Sequence, residues 1–498
     1  MSGSSILQYV PSHFTRLRPQ QIDVLMQIEK NWDRYDVFII NAPVATGKSL
    51  IAMTIASWAG EAAVLTPSNI LLNQYADEFT NLHVIRKRSS YYCETLEQSV
   101  DKTYKQLKRY CGKGTCKGCD EYRDMVAAIS DSNLILANYY AYMSYARVGS
   151  MKHTLIIDEG HNLTQMLREL GAKKFWQHDV HFPNNMKTRL DFMAWAEGLT
   201  EVQLSRHPSL RLLQEELRSN KPRHVFELTK AYHGKKSVDA NDKLPVLKMI
   251  PVDTRRLDVG ESLWPVQSVR KLVIMSATIS QFDIEAFGLG KKRIKYIEVS
   301  SPIPAANRPI IIPEDRQNMA YKYQEQNMDK FLKFISEVAE HHNMSKGFIH
   351  APYSVAKVLR MRLENNSRFM FHGRGRDKIT KLEEWKASEE PKIFVGSGMN
   401  EGISLNYDLC RWQVICKVPF PSLADPALRY LASTDSTWYA WQSLKDLLQA
   451  SGRNCRSEDD WGCTYLWDEC AVRLIQNNKD LIPMWFQEAL IIEPKIAS

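Results

Sequence analysis

Short apolar runs recur along the chain, and stretches with helix-like spacing of apolar residues separate most of them. Short apolar runs without polar alternation are typical of strands that are buried in a parallel sheet. Because strands alternate with helices, and because the runs fall into two series, the pattern predicts two parallel α/β domains. The first series is 37–40, 62–65, 134–137, 155–157 and 272–275, and the second is 347–350, 369–371, 393–395, 414–416 and 464–467.

Two segments interrupt this alternation, and insertions on the loops of an α/β core often carry specificity. The first is rich in cysteine and charge. The second is predicted to be mostly helical, from stretches such as LRLLQEELRSN. We therefore predict a first α/β domain made of 1–85, 125–163 and 258–285, with insertions at 86–124 and 164–257, and a second domain at 286–498.

Composition narrows the class of protein only a little. Of the 498 residues, 44% are hydrophobic and 24% are charged, as in ordinary globular proteins. No apolar run reaches the roughly 18 residues of a membrane-spanning helix, and we predict neither membrane insertion nor a secretory signal. The net charge of +8 fits either a solvated surface or a phosphate-binding groove.

A phosphate-binding loop is predicted directly after the first strand. The sequence Ala42-Pro43-Val44-Ala45-Thr46-Gly47-Lys48-Ser49 lies between an apolar run and a helical stretch. Backbone N–H groups at such a helix N-terminus form an anion cradle. Lys48 would reach the β- and γ-phosphates of ATP, and Ser49 would bind Mg²⁺. The loop departs from the usual pattern at its first position, where Ala42 replaces glycine.

A pair of carboxylates follows the strand predicted at 155–157. Asp158 would hold Mg²⁺, and Glu159 would orient and deprotonate an attacking water molecule. Adjacent carboxylates at the end of a strand are often solvated loop charges. The hydrophobic strand before them and the phosphate loop upstream favour a catalytic pair.

Four of the nine cysteines are clustered, with the spacing Cys93-x17-Cys111-x4-Cys116-x2-Cys119. An odd number of cysteines and the lack of a secretory signal argue against a disulfide framework. Four thiolates could ligate zinc or an iron–sulphur cluster, and the number of ligands does not separate the two.

Further motifs appear in a fixed order along the chain. They are Arg18-Pro-Gln-Gln21, Thr66-Pro67, Asp158-Glu-Gly-His161, Met275-Ser276-Ala-Thr278, Gly396-Ser-Gly-Met-Asn-Glu401-Gly402, Val418-Pro-Phe-Pro421, Asp425-Pro426 and Gln449-Ala-Ser-Gly452-Arg453-Asn-Cys-Arg456. From Arg18 to about Trp467, the chain resembles superfamily-two helicases of the XPD and DinG iron–sulphur type. That resemblance implies two RecA-like domains, ATP between them, and an iron–sulphur domain and an arch inserted in the first.

The resemblance also implies roles for individual residues. Gln21 would recognise adenine, Glu401 and Gly402 would contribute to the nucleotide site, and Gln449 would belong to the arginine-finger motif. His161, Ser276 and Thr278 would couple hydrolysis to DNA movement. Gly160 replaces the alanine of the family's DEAH box, a change that we expect to preserve the site.

Arg453 and Arg456 are three residues apart, which would place both on one face of a helix. A guanidinium group that reaches the γ-phosphate only when the two domains close would stabilise the transition state. Either arginine alone could be an ordinary surface charge.

The resemblance favours a [4Fe–4S] cluster over zinc for the four clustered cysteines. Single-strand binding combines basic grooves with aromatic stacking. Tyr139 and Tyr140 are stacking candidates, with packing between the domains as the alternative. Arg86 could contact phosphates, and Thr66 belongs to the family's DNA-backbone motif.

We therefore predict an ATP-dependent DNA helicase that acts as a monomer on single-stranded and forked DNA with 5′-to-3′ polarity, the polarity being implied by the resemblance alone. The alternatives are a translocase with little unwinding and a scaffold with a decayed ATP site. RNA remains open as a substrate, and no protein partner is predicted. A reducing compartment is expected: the cytoplasm in a bacterial or virus-infected cell, or the nucleus in a eukaryote.

Overall fold

The computed structural model describes residues 4–94, 97–100, 120–146, 152–219, 223–232, 243–254, 269–399, 405 and 407–493. Over these residues, the chain builds two seven-stranded sheets in which every pair of neighbouring strands is parallel. The expected fold of two parallel α/β domains is therefore confirmed. No helix in these ranges is long and apolar enough to cross a membrane.

The first sheet has the strand order β12-β1-β11-β7-β2-β6-β3. Successive residues of β1 belong to different hydrophobic clusters: Val37 and Ile39 to one, Phe38 and Ile40 to the other. Both faces are therefore buried, which explains the continuous apolar runs in the sequence. The strands are β1 (Val37–Asn41), β2 (Ala62–Thr66), β3 (His83–Ile85), β6 (Leu134–Asn138), β7 (Thr154–Ile157), β11 (Lys271–Ser276) and β12 (Ile294–Glu298).

The second sheet has the order β15-β16-β14-β17-β18-β13-β19. All five strands predicted for this series are present, as are the five predicted for the first. The strands are β13 (Ile310–Pro313), β14 (Gly347–His350), β15 (Phe369–Phe371), β16 (Ile393–Gly396), β17 (Trp412–Ile415), β18 (Cys463–Leu466) and β19 (Leu490–Glu493).

The predicted boundary between the two domains, at residue 285, is too early. Strand β12 pairs in parallel with β1, so that the first sheet continues to Glu298. Only Ile297 of this strand is fully buried, because β12 is an edge strand. Its charged and half-exposed residues hid it from a search for apolar runs.

The second insertion combines helices with a sheet. Three helices of the 164–257 segment pack on an antiparallel sheet of order β8-β10-β9 around residues such as Phe192, Leu213 and Leu247. The expected helices are present, but the sheet was not predicted. Its strands are β8 (Lys173–Trp176), β9 (His224–Tyr232) and β10 (Lys243–Pro251).

The first insertion is described only in part. Strands β4 (Tyr92–Cys93) and β5 (Gln98–Ser99) form a short antiparallel pair. Cys111, Cys116 and Cys119 lie outside the described residues, as do Glu401 and Gly402.

Helices connect many of the strands. In the first domain and its insertions, the α-helices are Pro19–Asn31, Lys48–Ala59, Asn69–Glu78, Asp120–Asp131, Tyr139–Ala146, Leu163–Gly171, Arg189–Glu197, Glu201–Arg206, Ser209–Arg218 and Gln281–Ala286. In the second domain they are Tyr321–Gln324, Met328–His341, Tyr353–Leu363, Arg376–Ala387, Pro426–Thr434, Ser436–Ser451, Glu469–Asn477 and Met484–Gln487.

Candidate functional site

The phosphate loop lies between β1 and the helix Lys48–Ala59, as predicted. Gly47 caps this helix with left-handed backbone angles (φ 76°, ψ 48°). A Cβ atom on Gly47 would lie 2.2 Å from Gln21 Nε2, so a side chain here would displace the end of Gln21, and the left-handed backbone would be strained as well. Gln21 thus packs against the loop. The exposed N–H groups at the start of the helix favour an anion at this turn.

Ala42, which replaces the usual glycine, needs no unusual backbone conformation. The left-handed residues of this loop are Ala45 (φ 69°) and Gly47, and not Ala42. Ala42 is buried, and its N–H donates a hydrogen bond of 2.8 Å to the Ser276 carbonyl of β11. The departure from the family pattern therefore causes no backbone strain.

Side chains hold the loop in shape. Lys48 Nζ donates to the Ala42 carbonyl (3.2 Å), and Thr46 Oγ1 donates to the Pro43 carbonyl (2.8 Å). Arg18 Nη1 donates to the Ala45 carbonyl (2.7 Å). With Ser49 one residue further along the helix, this cradle fits a nucleotide phosphate with its magnesium ion.

The acidic pair lies at the end of β7, opposite the loop. Tyr75 donates its hydroxyl to Asp158 Oδ2 (2.8 Å), and the Glu159 N–H donates to Asp158 Oδ1 (2.9 Å). Burial, followed by the charge of Glu159, raises the pKa of Asp158 to about 6, although Lys48 acts in the other direction. The carboxylate is thus held on both oxygens in a buried position.

Glu159 has left-handed backbone angles (φ 49°) and is surrounded by cations. Burial alone would raise its pKa, but the charges of Lys48, Arg453 and Arg456 outweigh that effect and keep the pKa below its usual value. Glu159 is therefore ionised at neutral pH. This is the state that a general base requires.

Gly160 is a structural requirement here, because the packing leaves no room for a side chain at this position. A Cβ atom on Gly160 would lie 2.2 Å from Ile274 Cγ2 of β11. Ile274 is fully buried, so the clash could be relieved only by repacking the core. Glycine lets β11 approach the acidic turn.

His161 connects the acidic turn to β11. Burial lowers its pKa to about 3, so the imidazole is neutral. Because the Asn162 side-chain amide donates to Nε2 (2.9 Å), Nδ1 carries the proton and donates to Ser276 Oγ (2.8 Å). Glu159 Oε2 lies 3.4 Å from the same Nδ1.

This chain of contacts continues into the second domain. The Thr278 N–H donates to Ser276 Oγ (3.1 Å), and Gln449 Nε2 donates to Thr278 Oγ1 (3.1 Å). A continuous path thus joins Glu159 to the helix Ser436–Ser451. The structure brings together the three residues proposed for coupling.

Other contacts also cross the cleft. Arg18 Nε pairs with Glu458 Oε1 at 2.8 Å, and Trp441 Nε1 donates to Asp283 Oδ2 (3.0 Å). A Cβ atom on Gly452 would lie 3.3 Å from Val44 of the phosphate loop. The two domains therefore face each other across the nucleotide loop.

Arg453 and Arg456 do not share a helix face, contrary to prediction. The helix Ser436–Ser451 ends before them, with Gly452 as its C-cap, and both arginines lie in the following loop. Their charges nevertheless act on Glu159 across the cleft. Burial, followed by the neighbouring charge of Arg453, lowers the pKa of Arg456 to about 10.

Comparisons with known proteins agree with this arrangement. Residues 14–195 match the family described as type III restriction enzyme, res subunit, and residues 349–489 match the helicase C-terminal domain. A solved XPD helicase structure superimposes with a TM-score of 0.61 at 14% identity, covering 96% of this chain and all of the other. The chain therefore has the fold of this XPD helicase structure.

Two further structures share this helicase fold. Xpd4 of S. tokodaii gives a TM-score of 0.55 at 13% identity, with 96% of this chain and all of the other covered. An apo XPD structure gives 0.56 at 15% identity, with 94% and 99% covered. No curated protein matches the sequence.

Two of the four predicted nucleic-acid residues lie in the interior. Thr66 is fully buried, and its hydroxyl donates to the Ser68 carbonyl (3.1 Å). Tyr139 is also buried and donates to the carbonyls of Asp158 and Glu159. Stacking of a base on Tyr139 is therefore excluded in this arrangement. Tyr139 packs in the core of the first domain, and not between the domains as the alternative had it.

Tyr140 and Arg86 remain accessible. Tyr140 is 39% exposed and donates its hydroxyl to Glu169. Arg86 Nη1 donates to Asn73 Oδ1 (2.6 Å) at the protein surface. Both residues stay candidates for contact with a strand.

Cys93 is the one predicted cluster ligand within the described residues. It is buried in β4 and packs with Val100, and no group of three or more potential metal ligands occurs in the described ranges. The four-cysteine donor set suits an iron–sulphur cluster or zinc.

Sequence reasoning missed Tyr75, Ile274 and the bridge between Arg18 and Glu458. Tyr75 belongs to no motif and lies 83 residues before its partner Asp158. Ile274 is part of an ordinary apolar strand. Arg18 was recognised only as the start of a motif, which gave no indication of its partner in the other domain.

Proposed function

We propose that this protein is an ATP-dependent DNA helicase that translocates 5′-to-3′ on single-stranded DNA and unwinds duplexes. The observation that carries the proposal is the environment of Glu159. This carboxylate of the first domain lies under the charges of Lys48 from its own domain and of Arg453 and Arg456 from the other. A site completed by two domains can couple hydrolysis to their relative movement.

In this proposal, the individual residues have the following roles. Lys48 and the N–H groups of its helix would bind the phosphates, and Gln21, which packs on the loop, would contact the base. Ionised Glu159 takes the proton of the attacking water, and the arginines stabilise the charge that develops on the phosphate. Magnesium, held by Ser49 and Asp158, would neutralise charge on the phosphate oxygens.

The path from Glu159 through His161, Ser276 and Thr278 to Gln449 would report hydrolysis to the second domain. Each of its links is a hydrogen bond or a close contact between buried or half-buried groups. Release of the γ-phosphate removes the charge that the arginines face. The cleft would then open, and the strand would advance.

The partners that we propose are single-stranded and forked DNA, bound by a monomer. Support comes from the XPD-type fold and the accessible Tyr140 and Arg86. We further propose that Cys93, Cys111, Cys116 and Cys119 hold a [4Fe–4S] cluster. A broad absorption band near roughly 400 nm in anaerobically purified protein would support the cluster, and stoichiometric zinc without that band would refute it.

The decisive experiment is polarity-resolved unwinding. Duplexes with a 5′ or a 3′ single-stranded tail are incubated with ATP and wild-type protein, with Lys48→Ala, or with Lys333→Ala as a matched control at a surface lysine that is 79% exposed. We expect unwinding of the 5′-tailed duplex by wild type and Lys333→Ala, and none by Lys48→Ala. Equal unwinding by Lys48→Ala would refute the proposal. Hydrolysis without unwinding would favour the translocase instead.

A further inference from the structure

Tyr75 lies outside every motif and touches the side chain of Asp158 directly. Its hydroxyl donates to Asp158 Oδ2 at 2.8 Å, and both side chains are almost completely buried. A hydrogen bond from a fixed partner orients a metal-binding carboxylate and so prepares it for the ion. The ring of Tyr75 also packs in the core, so a purely structural role is the simpler alternative.

The helix that carries Tyr75 begins at the surface edge of the sheet. Ser68 caps the helix Asn69–Glu78 by accepting the Leu71 N–H (3.3 Å), directly after β2. Arg86 holds the same helix through Asn73. Arg86 is one of the proposed strand contacts. Ser68 and Asn69 are exposed beside it in chain order after the buried Thr66, whose motif is the one that the family resemblance relates to the DNA backbone, so one short helix links this edge to Asp158.

A second helix is connected to the sheet and to the acidic pair in a similar way. Strand β6 is the neighbour of β2, with Asn138 paired opposite Thr66, and the helix Tyr139–Ala146 starts directly after it. Asn138 Nδ2 donates to Asn69 Oδ1 (2.6 Å), which joins the beginnings of the two helices. Tyr139 reaches the carbonyls of Asp158 and Glu159. Both helices thus start at the same edge, and each carries a tyrosine whose hydroxyl contacts the acidic pair: Tyr75 within the first helix and Tyr139 as the first residue of the second.

We propose that Tyr75 is a positioning residue that transmits the binding of a nucleic-acid strand, at residues 66–69 and Arg86, to the magnesium-binding carboxylate of Asp158. The proposal rests on the proposed function for the identity of the strand and of the metal. A strand that shifts the start of the helix Asn69–Glu78 moves the Tyr75 hydroxyl, and with it the orientation of the carboxylate. Magnesium then binds best when the strand is in place.

The test is an equilibrium titration, independent of turnover. Binding of a fluorescent ADP analogue is measured against Mg²⁺ concentration, with and without an oligo-dT strand, for wild type and for Tyr75→Phe. In wild type, the strand is expected to lower the Mg²⁺ concentration that gives half of the effect. Tyr75→Phe should need about tenfold more Mg²⁺, because partners of metal ligands typically contribute that much, and the strand should no longer shift the midpoint.

Tyr142→Phe is the matched control, because it removes another buried hydroxyl, one that accepts the Lys152 N–H and does not contact the acidic pair. It should behave as wild type. A Mg²⁺ midpoint in Tyr75→Phe within twofold of wild type, or a wild-type midpoint that the strand does not shift, would overturn the inference. Failure of the proposed function is seen separately, as lack of ATP-driven unwinding by wild type, and leaves this binding titration readable.

Discussion

The turn after β1 and the turn after β7 both depart from the helicase pattern by one small residue, with opposite physical consequences. Ala42 replaces glycine at a position with ordinary backbone angles, so the replacement causes no backbone strain. Gly160 replaces alanine where Ile274 leaves no room for a Cβ atom, so the change is obligatory. In the proposed function, the first turn (the binding turn, residues 42–49) would bind phosphate using its own domain alone. The second turn (the hydrolysis turn, residues 158–161) faces the arginines of the other domain. Of the two turns, only this one would depend on closure of the domains for its chemistry.

The strongest test of this difference compares Lys48→Ala with Arg453→Ala. Lys48 belongs to the binding turn, so its loss should abolish both ATP binding and hydrolysis. Arg453 acts on the hydrolysis turn from across the cleft, and its loss should slow hydrolysis about 10³-fold with ATP affinity changed less than about threefold. Hydrolysis rates and binding of a fluorescent ATP analogue measure both quantities. An equal loss of affinity in the two variants would show that the turns are not separate.

Gly160→Ala should be the most damaging small substitution. The added Cβ atom meets Ile274 Cγ2 in the core, and overpacking of this kind costs about 2 kcal/mol in the free energy of unfolding. Urea denaturation of the first domain and the hydrolysis rate both report on it. Ile274→Leu removes the offending methyl group at constant volume, so the double variant should lose less than the sum of the two single variants. Simple additivity would contradict the steric explanation.

A lower pH should reduce the free energy of unfolding through His161, which lies in the hydrolysis turn. Its pKa falls from 6.5 to about 3 on folding because the imidazole is buried, so between those values the unfolded chain binds the additional proton. Stability is therefore complete above about pH 6.5 and decreases as the pH falls toward 3. Between pH 7 and 5, wild type should lose about 2 kcal/mol more than His161→Gln, measured by urea unfolding at each pH. Parallel pH profiles for the two proteins would refute this.

The smallest expected effects concern the binding turn. Ala45 has φ 69°, which costs an alanine free energy that glycine does not pay, so Ala45→Gly should stabilise the protein by about 0.5 kcal/mol. Ala42→Gly should destabilise it by about 0.5–1 kcal/mol, because it only adds freedom to the unfolded chain. Thermal unfolding measures both, and hydrolysis should change less than twofold in Ala42→Gly. Effects of the same sign would mean that the strain is not located at Ala45.

Much of the site was predictable because its residues are neighbours in sequence. Residues 42–49 and the pair Asp158 and Glu159 each lie at a strand end, where local pattern and chemistry coincide. The arginines were recognised as a motif, but their helix was wrongly extended past Gly452. Sequence spacing alone does not show where a helix ends.

The remaining features depend on contacts between distant segments. Tyr75 meets Asp158 only because β2 and β7 are neighbours in the sheet, and Ile274 meets Gly160 only because β11 lies beside β7. Edge strands such as β12 were missed because just one of their residues is fully buried. A search for hydrophobic runs detects strands that are buried on both faces of a sheet. It does not show which distant residues are in contact, and it misses an edge strand such as β12.

The first sheet ends at Glu298 and the second begins at Ile310, so a single short connection joins them. Ser301, Ile303 and Arg308 of this connection line a crevice with Pro43 and Val44 of the phosphate loop. Arg308 Nε donates to the Ile303 carbonyl at 3.0 Å, which stiffens the connection. The connection about which the two domains would rotate thus lies beside the phosphate loop. If one domain rotated by a few degrees about this connection, its atoms would move by a distance that increases with their distance from the connection. The movement would be largest at the far edge of the domain, where a strand would bind.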